Sequence, residues 1–181
     1  MFKNALVFSF LALILAAAAC ESKPAPVAST GNGAPGAASV IPAGLFLASE
    51  PTATTHVKDA KPGAKVGDKV TLVGRIGGSE EPFVEGRAIF TIVDTRVKAC
   101  GEGTAMDSCK TPWDYCCEPR EDLTANMATV RVVGPDGQPL KAGLQDVRGL
   151  KLLARVAVVG IVAQAEDGNL VVNASGLYVA K

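Results

Sequence analysis

The sequence predicts an all-β fold: a small five-stranded barrel with a cysteine-rich insertion between its second and third strands, preceded by a disordered tether. Three observations predict it. β-branched runs with period-2 patterning recur after residue 60, turn residues separate them, and no helical period of comparable length intervenes.

The first lies in Lys65 to Gly78, a turn followed by a β-branched run. The second is Arg87 to Asp94, and the third is Met127 to Val133, closed by Gly134-Pro135-Asp136-Gly137. The fourth, Lys151 to Ala163, leads through Glu166-Asp167-Gly168-Asn169 into the fifth, Leu170 to Val179. Between the third and fourth only Leu140 to Val147 has the pattern for a turn or two of helix. Five strands with one short helical connection suggest closure, which removes the edges an open meander exposes.

Composition narrows the function classes. The 181 residues carry 18 Lys+Arg against 18 Asp+Glu, which disfavours a protein devoted to neutralising a phosphate backbone. A single histidine, His56, excludes a multi-histidine metal centre and most hydrolase constellations; it is expected as a solvated linker residue. No GxSxG element is present, and an enzyme is not the expected reading.

The N-terminus has the form of an export signal: Lys3, an uncharged apolar run from Ala5 to Leu15, then Ala16 to Ala19 before Cys20. It resembles a bacterial lipoprotein signal, cut before a cysteine that becomes lipid-modified, and departs from it in having Ala17 where Leu is usual. The resemblance implies lipidation at Cys20, a membrane anchor, and a periplasm-facing or surface-exposed domain at the cell or outer membrane. Glu21, in place of Asp, leans toward the outer membrane. An ordinary secreted protein cut within the alanine run is the alternative. The expected organisation is thus signal peptide 1–19, tether 20–58 and domain 59–181, with the insertion at 95–126. The tether is rich in Ala, Gly, Pro, Ser and Thr and cannot bury enough apolar area to order itself. Within it, Val40 to Leu47 is apolar enough to dock.

The segment Gly67 to Arg75, with Gly74 inside a strand run, and its echo at Ala157 to Val162 resemble an OB-fold over residues 65–179. An SH3-like barrel or a small sandwich gives similar patterns. The OB resemblance implies a ligand held across the second and third strands, where Phe90, Arg87 and Arg131 are the candidate contacts. Single-strand binding needs stacking aromatics in a basic groove, and these strands offer too few. Nucleic acid is therefore disfavoured. The haem-chaperone activity of some exported OB-folds is not implied, because no histidine follows His56.

The insertion holds every cysteine other than Cys20, namely Cys100, Cys109, Cys116 and Cys117, together with the only tryptophan. Four thiols in an exported chain point to disulfides. Adjacent cysteines lie too close across a trans peptide for an unstrained bridge, so Cys100 and Cys109 are each expected to bond one member of the Cys116–Cys117 pair. The alternatives are a zinc or copper site, with Asp107, Asp114 and Glu118 as further donors, or a thiol-redox site. No other cofactor is expected. Thr111 to Glu118 resembles a segment of exported bacterial proteins that lends no activity; Trp113, Asp114 and Tyr115 are the candidate contacts with an envelope protein or small ligand. Acidic side chains outnumber basic ones between residues 94 and 122, a field that attracts a cation or a basic partner.

Overall fold

A computed structural model describes residues 40–102, 115–166 and 168–181. In these segments the chain is mostly strand. The elements are β1 (Thr55–His56), α1 (Val57–Ala60), β2 (Lys69–Ile76), β3 (Ile89–Val93), α2 (Arg120–Ala125), β4 (Met127–Arg131), β5 (Arg155–Glu166) and β6 (Asn169–Val179). Six strands share one sheet, where the sequence predicts five. The additional one is the two-residue β1.

The pairings form a circuit. β2 runs antiparallel to β5 from Lys69↔Ile161 to Arg75↔Arg155 and touches β3 only at Arg75↔Val93 and Ile76↔Ile92. β3 pairs antiparallel with β4, β4 parallel with β6, and β6 antiparallel with β5. β1 joins β2 in parallel at Leu72 and Val73, so β1 and β3 divide one edge of β2 while β5 takes the other.

Alternation directs one face of each strand inward. Phe90 and Ile92, Val130 and Val132, Val156 and Val158, and Leu170 and Val172 fill a single core, in keeping with the pleat. Gly160 sits where β5 and β6 shift register. A Cβ there would collide with the Asn173 carbonyl oxygen and lie 2.6 Å from Val172 Cγ1. The bare backbone permits the close approach. Gly168, at φ +73°, closes the β5–β6 hairpin where the sequence predicts a turn.

Three expectations are corrected. The tether does not extend to residue 58 as loose chain: Leu45 and Val57 are buried in the core, and Leu47 N–H donates to Leu177 O at 2.8 Å. Apolar side chains at Ile41, Leu45 and Phe46 supply the burial that the surrounding composition lacks. Residues 140–146 are not helical. Leu140 instead extends the sheet, accepting from Ala88 N–H and donating to Val132 O, and a 3₁₀ turn appears only at Val147–Gly149. Asp146, Arg148 and Gly149 all have positive φ, which an α-helix cannot continue through. The insertion, where the sequence predicts no helix, contains α2. The signal peptide, Cys20 and the tether up to residue 39 lie outside the described residues.

Candidate functional site

The insertion leaves the sheet at Asp94 and returns at Asn126, and the two ends are joined: Asp94 N–H donates to Asn126 O at 2.8 Å. The neck is built from polar groups. Asp94 is fully buried, and its carboxylate accepts from Lys58 N–H at 3.0 Å and from Arg96 N–H and Nε at 3.0 Å and Nη2 at 2.9 Å. His56 Nδ1 lies 3.3 Å from the same carboxylate and 3.3 Å from Thr95 Oγ1. Burial alone raises the Asp94 pKa, but the Arg96 side chain and the Arg96 and Lys58 N–H groups outweigh it and hold the value at about 2. Arg96 Nη2 also reaches Asp59 Oδ1 at 3.0 Å. On the return side, Lys61 Nζ donates to Thr124 O and Met127 O, satisfying a carbonyl at the end of α2.

Beyond the neck, two turns bring cysteines together. In the first, Glu102 N–H donates to Ala99 O, with Gly101 at φ +83°; a positive φ at that position of a turn selects glycine. In the second, Glu118 N–H donates to Tyr115 O. Cys100 is at the corner of one turn and the Cys116–Cys117 pair at the corner of the other. The Cys100 sulfur lies 3.2 Å from that of Cys116 and 3.8 Å from that of Cys117, and all three are within 4.8 Å of one another.

Packing and charge hold the turns in place. Tyr115 is buried against Val93 and Ala99, with Leu123, Met127 and Leu153 around them. Burial is the main cause that pushes its phenol up to about 12. Glu102 receives Ala99 N–H at 3.2 Å and pairs with Arg75 of β2. These contacts tie the first turn to the sheet.

The predicted contact residues separate under the structure. Cys100, Cys116 and Cys117 come together, while Cys109, Asp107, Trp113 and Asp114 lie outside the described residues. Phe90 and Tyr115 are fully buried and present no surface to a ligand. Arg131 is half-buried, with Nε donating to Asn173 Oδ1 at 3.1 Å. Arg87 is half-buried in the loop before β3. Glu118 lines an open cleft of about 660 Å³ with Lys58, Asp59, Arg96, Lys98 and Asp122. His56 is not a solvated linker residue: β1 places it on the buried carboxylate. Sequence reasoning missed the whole Asp94 neck. Its one signal was an Asp at a strand end two residues before an Arg; the partners on α1 are 36 residues away.

Among the described residues no helix is long and apolar enough to cross a membrane. Comparison of the chain with protein-family models, curated proteins and solved structures finds no match, so the chemistry of the site is read from its own residues.

Proposed function

We propose that the protein is a lipid-anchored binding module of the cell envelope, in which an OB-like strand ring displays a disulfide-stabilised insertion to an envelope protein or a small ligand. The observation that carries this reading is the convergence of Cys100 with Cys116 and Cys117 at the corners of two turns, above a neck that closes on the sheet. The pairing order β2-β3-β4-β6-β5-β2, with its parallel β4–β6 contact, supports the OB-like ring. A loop held at its neck and gathered at its cysteine turns loses little entropy when it binds, which favours recognition.

In this reading Cys100 bonds Cys116 or Cys117, and Cys109 takes the other, each bridge contributing about 3 kcal/mol on the chain-entropy account. The buried Phe90 and the hydrogen-bonded Arg131 weigh against the strand face as the binding surface and favour the insertion. Peptide mapping of the non-reduced protein should recover the two bridges. Cys20→Ala should move the protein from the membrane to the soluble fraction. Unbridged cysteines in protein taken from the envelope would sink the bridged-loop reading, and membrane retention of Cys20→Ala would sink the anchor.

The presence of a third sulfur at the same point favours a second reading, in which the insertion is a metal or thiol-redox site. A bridge uses sulfurs two at a time, whereas a metal centre gathers three or four.

A further inference from the structure

We infer that, when its cysteines are reduced, the Cys100–Cys116–Cys117 cluster forms a three-thiolate site for a soft monovalent cation, Cu(I). Metal–sulfur bonds of roughly 2.3 Å place three thiolates around one ion roughly 4 Å apart. The three sulfurs already stand at 3.2 Å, 3.8 Å and within 4.8 Å of one another, so coordination requires a shift of under about 1 Å. Cys100 is buried and fixed by its turn, while Cys116 and Cys117 are exposed, giving one anchored ligand and an entry side.

The donor set selects the ion. Sulfur alone converges among the described residues. Glu102, the nearest acid in sequence to Cys100, is committed to Arg75 and to Ala99 N–H. The only imidazole is held at Asp94. Thiolate donors take zinc as well, but Cu(I), the softer ion, gains most from an all-sulfur donor set. Loading exchanges the thiol protons for the ion, so uptake weakens as pH falls.

This site belongs to the second reading above and concerns reduced sulfurs, which bridges exclude. The test uses the full-length protein in detergent, fully reduced by a phosphine without oxygen and titrated with Cu(I) against a chromophoric competitor. One equivalent should bind, with a thiolate-to-copper charge-transfer band, and should protect Cys100, Cys116 and Cys117 from alkylation in the unmutated chain. Each of Cys100→Ser, Cys116→Ser and Cys117→Ser should weaken binding roughly 100-fold or more. Far-ultraviolet circular dichroism checks that each variant keeps its strands. Absence of uptake by the reduced, folded chain overturns the inference. So does uptake by Cys100→Ser, Cys116→Ser and Cys117→Ser as tight as that of the unmutated chain. Bridges found in the non-reduced protein leave this test intact, and failed copper uptake leaves the bridged-loop reading intact.

Discussion

Along β2 and β5 seven consecutive residue pairs run from Lys69↔Ile161 to Arg75↔Arg155, and inward side chains from five strands share one core. Among its described residues the insertion has no such ladder. It is held by single contacts: Asp94 N–H to Asn126 O, Lys61 to the end of α2, Glu102 to Arg75, and Tyr115 in a small apolar cluster. In the ring a lost contact is shared among many neighbours, but crowding has nowhere to go, because interiors are close-packed. In the insertion each contact has one owner. Damage there should be local.

The largest effect is therefore expected from adding volume to the ring. Gly160→Val forces a side chain against the Asn173 carbonyl and Val172, and should cost about 3 kcal/mol or more. Gly74→Val, whose Cβ meets Val93 O at 2.9 Å and Ile92 Cβ at 3.0 Å, should follow closely. Gly44→Val, with nothing within 4 Å, is the control. Thermal melts that rank all three equally would break the comparison at its root.

Leu45→Ala comes next. Leu45 lies before the first strand yet is 4% exposed, within the same core as Phe90 and Leu177. Truncation should cost about 3 kcal/mol and lower the melting temperature of the whole domain. An unchanged melt would mean that residues 41–47 do not belong to the ring's cooperative unit.

The contrast between the regions also explains what the sequence could tell. Period-2 runs marked all five long strands to within a few residues, because each strand buries one face and the alternation is written in consecutive positions. The 3₁₀ turn at Ala43–Leu45 and the two-residue β1 escaped, since a tail dominated by Ala, Gly and Pro is stabilised only by tertiary burial of a few side chains. At the site, the cysteines announced themselves by type and number. Their convergence depends on two turns whose geometry only Gly101 foreshadows. Nothing local says that Asp94 meets His56 and the backbone of Lys58.

Asp94 joins the two regions, and its effect should be intermediate and dependent on pH. Its carboxyl is held at about 2, below the ordinary carboxylate value near 3.8. The folded form thus gains stability that is fully present above that ordinary value and disappears as pH falls through about 2. The difference corresponds to about 2 kcal/mol. Denaturant midpoints of the unmutated protein should fall more steeply between about pH 4 and pH 2 than those of Asp94→Asn, with the two converging at the acidic end. Parallel pH profiles would show that the neck does not depend on the ionised carboxylate.

The smallest effect on stability, and the sharpest test of locality, is Arg75→Gln. Arg75 lies on β2, but the partner of its side chain, Glu102, sits on the cysteine turn; the two side chains are 25% and 42% exposed. A pair so open to water contributes at most about 1 kcal/mol and is weakened by salt. The whole-domain melt should therefore move by only about 2–3 °C. The turn should respond more. Without the guanidinium, Glu102 keeps Ala99 N–H and the charge of Lys98, a weaker hold, and the segment carrying Cys100 can open without disturbing the β2–β5 ladder. Alkylation of reduced Cys100, buried at 3% exposure, should accelerate severalfold in Arg75→Gln under conditions where the strands remain intact. Raising the salt on the unmutated protein should reproduce part of that acceleration, because the same ion pair is being screened. If the alkylation rate instead rises only by the factor that the drop in global stability accounts for, the turn opens only when the ring unfolds, and the two regions are one cooperative unit.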